Sequence, residues 1–407
     1  MHLKERYDIA VIGGGIVGLA SAYKIQLKYP NLKIIIIEKE NRLAAHQTGN
    51  NSGVIHSGLY YKPGSDKAKN CVDGRKQLVA FATKYGVKHE VCGKVVTAVD
   101  KSELLYLDKI FENGKANNTE GIEKITANQL REIEPYVEGI AGIWVPCTGI
   151  IDFIGATNKL GELIQAIQPK SKIVLGEKVE ACEHVGDESL VVTSKDKYTA
   201  KHVIFCGGLQ ADRLAKQDGV KLKERVVAFR GDYYNLTEMA KTKVKHLIYP
   251  VPNPNFPFLG VHFTRMVNGD VECGPNAVLT FKREGYGKTD FNVKDTLNAL
   301  SYLGTWNLLC KHTGFAINEY RRTFSKKRFL ETLQRLIPSL TMQDIMPGRS
   351  GVRAMLLNAD GSMQDDFKII YHNRSLHVLN APSPAATSCL AIGDKICDMA
   401  TVYFNLG

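Results

Sequence analysis

Apolar residues gather in short runs along the chain. They include Tyr7-Asp8-Ile9-Ala10-Val11-Ile12, Lys33-Ile34-Ile35-Ile36-Ile37 and Lys172-Ile173-Val174-Leu175, then Leu190-Val191-Val192-Thr193 and His202-Val203-Ile204-Phe205-Cys206. Runs of four to six such residues read as strands, and those without alternation as strands buried on both faces of a parallel sheet. Helical spacing dominates residues 16–25, 68–85 and 101–135, where Asp108, Glu112 and Lys115 punctuate an amphipathic face. A small-residue helix is predicted over residues 389–403, with a start as early as Ser383 or Ala385 as the alternative. Strands alternating with helices predict an α/β fold. No internal repeat or low-complexity tail interrupts the pattern.

The first strand runs straight into glycines. Gly13, Gly15 and Gly18 satisfy G-x-G-x-x-G between a strand and a helix, the setting in which this spacing binds a dinucleotide. Gly13 permits the tight turn, Gly15 lets backbone approach a pyrophosphate, and Gly18 packs helix against strand. The helix N-terminus then offers N–H groups and partial positive charge to phosphate. Glu38 ends the second strand twenty residues beyond Gly18, where a carboxylate accepts hydrogen bonds from ribose hydroxyls and repels a 2′-phosphate. The loop that follows is rich in Gly, Asn and Ser, and Thr48, Asn51 and Ser52 suit a course along an extended cofactor. Val179, the pair Gly207-Gly208, Gly351, Ala385 and Thr387 are expected to border the same cofactor.

Composition narrows the class. Of 407 residues, 44% are hydrophobic and 23% charged, which excludes collagen-like, mucin-like and wholly disordered chains. The length suggests two or three domains. No run reaches the roughly 18–20 apolar residues that span a bilayer. Residues 9–22 imitate a signal-peptide core, but the glycine triplet inside them favours strand, turn and helix. Nine scattered cysteines form no Cys-x-x-Cys pair, and no His cluster has zinc spacing, so reduced thiols, a cytoplasmic setting and no metal are expected. The net charge of +11 favours an acidic substrate, an anionic membrane face or nucleic acid. Lys326-Lys327-Arg328 is the densest basic run and reads as a solvated face, and no cluster with interleaved aromatics points to nucleic acid.

Several longer strings carry a family resemblance. They are His56-Ser57-Gly58-Leu59-Tyr60-Tyr61-Lys62-Pro63, Phe229-Arg230-Gly231-Asp232-Tyr233-Tyr234 and Tyr249-Pro250-Val251-Pro252, with residues 256–265 and Gly274-Pro275-Asn276-Ala277-Val278. Gly351-Val352-Arg353-Ala354, Asp365-Asp366-Phe367 and residues 381–387 complete the set. Together these resemble the FAD-dependent amino-acid oxidase/glycine oxidase superfamily, and within it the L-2-hydroxyglutarate dehydrogenase/oxidase family over nearly the whole chain. Ala228 departs from the proline expected there, and Met355 from glutamine. The resemblance implies a Rossmann-like FAD-binding domain of glutathione-reductase type, interleaved with an α+β substrate domain on a mostly antiparallel sheet. Residues 1–85, 145–215 and 345–407 are assigned to the first and 86–144 and 216–344 to the second.

That resemblance implies oxidation of L-2-hydroxyglutarate, a small dicarboxylate 2-hydroxy acid, to 2-oxoglutarate. The flavin N5 accepts hydride from the α-carbon, leaving the protein to position the substrate, bind carboxylates and take the hydroxyl proton. A neutral imidazole suits the proton and a guanidinium fork suits a carboxylate. His56 and His262 are the candidate bases, and Arg230 and Arg353 the candidate carboxylate ligands, with Tyr233, Tyr249 and Thr264 as further donors. The bland reading of both arginines is an internal ion pair with Asp232, Asp365 or Asp366. Electrons are expected to pass to the membrane quinone pool, with oxygen as the other acceptor, and a peripheral contact at the inner face of the cell membrane fits the basic charge. An amine or amino-acid oxidase, another 2-hydroxy-acid oxidase, a flavin-dependent RNA-modifying enzyme and a non-catalytic FAD scaffold are the rival readings.

Overall fold

A computed structural model describes residues 5–252 and 259–407. Residues 256–258 of the matched string therefore lie outside the described residues. The first strand, Arg6–Ile12, lies between Lys197–Phe205 and Ile34–Ile37, parallel to both, and Lys172–Val174 extends this parallel group beyond Ile34–Ile37. Ser375–Asn380 pairs in parallel with the end of Lys197–Phe205, while Glu188–Thr193 and Val179–Val185 add antiparallel strands. Side chains alternate across this eight-stranded sheet. Ile9, Val11, Ile34 and Ile36 face a core with helices Ile16–Lys28, Phe153–Ile167 and Cys389–Tyr403. Ala10, Ile12, Ile35 and Ile37 face a second cluster with Val179, Val191 and Phe205. Burial on both faces explains the unbroken apolar runs.

A nine-stranded sheet stands beside it, antiparallel throughout except where Leu247–Pro250 meets Lys94–Ala98. Its longest pairing joins Arg225–Leu236 to Ile345–Leu357. This corrects the expectation that residues 345–407 all belong with the nucleotide-binding unit: Gly351 and Arg353 ride on a strand of the second sheet. Alternation sorts this sheet too. Val95 packs with Phe263, Phe329 and Leu333 on its outer face, whereas Val96 and Ala98 pack with Leu247 and Tyr249 on its inner face.

Two other expectations change. Residues 101–135 are not continuously helical: Leu104–Ala116 ends at a turn through Asn118 and Gly121, both at positive φ, and the strand Glu123–Thr126 precedes the helix Ala127–Ile133. Thr126 and Gln129 form a reciprocal capping box that starts that helix. The last helix spans Cys389–Tyr403, as its small residues predict, without the earlier start near Ser383 or Ala385. Residues 383–388 are held as turns instead, with Ala385 N–H donating to Pro382 O (2.9 Å) and Ser388 N–H to Pro384 O (3.0 Å).

Candidate active site

The glycines build a bare cradle at the C-terminal end of the first strand. Gly13 has φ +118°, and a Cβ there would lie 2.4 Å from the Cys206 carbonyl oxygen. A Cβ on Gly18 would lie 2.3 Å from Gly13 O, so strand, helix and the end of Lys197–Phe205 are in backbone contact. Above Gly15 the space is open, a Cβ meeting nothing nearer than Thr48 Oγ1 at 3.4 Å. Thr48 Oγ1 accepts the Ile16 N–H at 3.0 Å and so caps the helix that Gly15 cannot cap. Glu38 anchors the turn as well: its carboxylate accepts Gly14 N–H at 2.6 Å and Glu40 N–H at 2.9 Å. A helix terminus behind the glycines, open space over Gly15 and a held carboxylate fit a dinucleotide. Gly13→Ala is therefore expected to yield protein without bound FAD, checked by the flavin absorbance of the purified variant.

The Asn-rich loop and the distant glycine–arginine strand converge. Arg349 donates to Gly49 O (2.9 Å) and Asn51 O (2.6 Å) while paired with Glu272, and a Cβ on Gly351 would lie 2.3 Å from Asn50 O. Asn51 uses its amide within the loop, donating to Thr48 O (2.7 Å) and accepting Gly53 N–H (2.8 Å). It shapes the loop rather than offering a spare amide. Ser52 is half-buried in the same loop, next to the strand Val54–Ile55. Thr387 Oγ1 accepts His56 N–H (3.1 Å) and donates to Val54 O (3.1 Å), so the turn containing Ala385 fixes the backbone of His56. Gly208, at φ +51°, faces Gln47, and Gly207 packs against Leu214. Val179 is buried in the sheet core, where it pairs with Thr193.

His56 and His262 come together. His262 opens the strand His262–Arg265 and is buried. Its Nδ1 lies 2.8 Å from Gly260 O. A carbonyl only accepts, so Nδ1 carries the proton and Nε2 is left as an acceptor. Burial lowers the His262 pKa to about 3 against the opposing pull of that hydrogen bond, with Arg353 and Lys94 adding repulsion. Burial likewise takes half-exposed His56 to about 3, helped by Lys94, His262 and Arg353. Both rings are thus neutral at pH 7. The Tyr249 ring lies 4.1 Å from that of His262, and Tyr233 hydrogen-bonds Arg353.

The two arginines part company. Arg353 bears on both histidines, Tyr233 and Tyr249. Arg230 is buried in an ion pair, its Nε 2.8 Å from Asp232 Oδ1 and its Nη1 bonded to Gly287 O. Its donors are engaged by the protein, which matches the bland reading of this residue.

Three residues of the cluster escaped the sequence reading as site residues. Lys94 is 1% exposed, and its ammonium lies 4.6 Å from the Tyr60 ring centroid and 5.0 Å from that of Tyr249. Tyr60 and Tyr61 sit in the same matched string as His56, and burial raises both phenol pKa values. The strand pattern around Lys94 gave the only signal: a lysine in phase with inward-facing Val96 and Ala98.

Comparison with known proteins identifies the family and the fold. Residues 8–399 match the family profile described as FAD dependent oxidoreductase. The chain is 45% identical to an L-2-hydroxyglutarate dehydrogenase of Indibacter alkaliphilus, covering 98% of this chain and 100% of that protein. It is 42% identical to a mitochondrial L-2-hydroxyglutarate dehydrogenase of Nematostella vectensis, covering 99% and 92%. Among solved structures, the FAD-bound L-α-glycerophosphate oxidase of Mycoplasma pneumoniae superposes with a TM-score of 0.79 at 23% identity, covering 99% of this chain and 96% of that one. Glycine oxidase of Geobacillus kaustophilus gives 0.72 at 13%, covering 99% and 95%. At those identities the two structures speak for the fold.

Proposed function

Because the chain belongs to the FAD-dependent oxidoreductase family, and its full-length relatives are L-2-hydroxyglutarate dehydrogenases, we propose that it oxidises L-2-hydroxyglutarate to 2-oxoglutarate. FAD, when bound, supplies the two-electron acceptor. The observation that carries the reading is the neutral His262 imidazole, its Nε2 left as an acceptor, in one cluster with Arg353. His262 Nε2 takes the hydroxyl proton. Arg353 binds the carboxylate next to the reacting carbon through its planar fork, steadied by Tyr233. His56, fixed through Thr387, is the second imidazole and orients the hydroxyl. The first sheet holds the cofactor, and the second, with residues 345–357 added to it, presents the substrate groups.

Incubation with an artificial electron acceptor and L-2-hydroxyglutarate, lactate, malate, glycolate or glycine tests the activity. Stoichiometric 2-oxoglutarate from the first, and much slower turnover of the rest, is the expected result. Preferential turnover of glycine would replace the reading with an amine oxidase.

For the electron acceptor we place the membrane quinone pool first. No helix among the described residues is long and apolar enough to cross a membrane. A peripheral face is available instead: Phe291, Val293, Leu297 and Leu303 are each 62–63% exposed, and Trp306, half-exposed, reaches back to Leu300 O at 2.7 Å. Exposed apolar side chains recurring over residues 291–306 suit the interface of a bilayer. The protein is expected to sediment with anionic vesicles, and Leu297→Glu with Trp306→Glu to abolish sedimentation without changing flavin reduction. Equal sedimentation of the double variant would remove this face from the account.

A further inference from the structure

We propose that Lys94 is the second anion site of this pocket, holding the distal carboxylate of a dicarboxylate and making the site selective for diacids over monoacids. The inference rests on the substrate reading above and deepens it. Lys94 opens the strand Lys94–Ala98, where register places it opposite Leu247 and Val145. Those two residues belong to the inner apolar cluster with Val96, Ala98 and Tyr249, so alternation points the lysine inward rather than to solvent. Among the described residues no carboxylate pairs with its ammonium. The groups that could lend it negative charge are Cys147 and Cys71, both pushed up by burial and therefore neutral thiols. Two aromatic faces, Tyr60 and Tyr249, stabilise it instead. Beside it the buried Tyr60 hydroxyl has no hydrogen-bond partner among the described residues.

A buried cation without a counter-ion is costly to the fold, and such a group persists where a ligand supplies the missing charge. Lys94 and Arg353 both act on His56 and His262, and Tyr249 touches the His262 ring on one hand and the lysine on the other. Lys67 and Arg349, the other cations acting on this cluster, are paired with Asp365 and Glu272, so with Arg353 on the carboxylate next to the reacting carbon the far end falls to Lys94. Burial lowers its pKa to about 8, so it is mostly charged at neutral pH and loses its charge as pH rises through that value. A bound carboxylate moves that loss upward.

Glutarate and pentanoate, five-carbon acids without a hydroxyl to oxidise, separate the two ends. Each is titrated into the FAD-loaded protein, and binding is read from the perturbed flavin spectrum. Wild type is expected to bind glutarate at least about 30-fold more tightly than pentanoate. Lys94→Met is expected to erase that preference while leaving pentanoate affinity near its wild-type value. The wild-type preference is expected to decline above about pH 8, and to be flat with pH in the variant. An unchanged preference in Lys94→Met, or no preference in wild type, overturns the assignment. Should Lys94→Met fail to load FAD, Lys94→Arg decides: it is expected to keep the preference beyond pH 10, and a decline near pH 8 that persists in it overturns the assignment. If glutarate preference is present but L-2-hydroxyglutarate does not bleach the flavin, the proposed activity fails and the lysine site stands.

Discussion

Substituting His262 by glutamine is expected to slow anaerobic flavin reduction about 100- to 10,000-fold, with FAD still bound. Glutamine fills similar space and can still donate to Gly260 O, but it carries no basic nitrogen where Nε2 was. The lost step is therefore proton acceptance, not architecture. Stopped-flow reduction across pH checks the assignment further. A buried imidazole with its pKa lowered to about 3 stays neutral well below the ordinary histidine range. Wild-type kcat/KM should accordingly show no acid limb near pH 6.5, because protonation of the free enzyme's base begins only at much lower pH. His56→Gln should act more mildly, since among the described residues no hydrogen bond to the His56 ring fixes a bare nitrogen toward the cluster. A larger loss for His56→Gln than for His262→Gln would exchange their roles.

Arg353→Met is expected to weaken glutarate and pentanoate binding alike by about 30-fold or more, the cost of stranding a carboxylate in a buried site. This common loss separates it from Lys94→Met, which acts on the diacid alone. Arg230→Met gives the contrasting result. Its guanidinium neutralises the buried Asp232, so removing it strands a charge and costs stability of about 3–5 kcal/mol rather than affinity. Thermal midpoints alongside the spectral titrations read both variants together. Weakened ligand binding in a fully stable Arg230→Met would return that residue to the substrate pocket.

The nucleotide-binding end was legible because its constraints are local. Gly13, Gly15, Gly18 and Glu38 lie within 26 residues, and strand, turn and helix each impose a residue type. The apolar runs were legible because burial on both faces removes alternation. What joins the two sheets left no local trace. Arg349 binds the loop at Gly49 and Asn51 across some 300 residues, yet in sequence it is one more arginine beside Gly348. Lys94 was passed over for a related reason. At the head of a strand a lysine ordinarily points to solvent, and only the pairing partners Leu247 and Val145 reveal which face it occupies. Gly351 and Arg353 ride on the second sheet, a placement their own sequence does not reveal, since strand pairing is decided by Arg225–Leu236 more than 100 residues away.

Mixing L-2-hydroxyglutarate with the FAD-loaded protein under argon interrogates the pocket most directly. Full loss of the visible absorbance band of the oxidised flavin, with one 2-oxoglutarate formed per flavin and no nicotinamide added, is the predicted result. A band that keeps its intensity through excess substrate, in protein shown to be folded and flavin-loaded, would contradict the account.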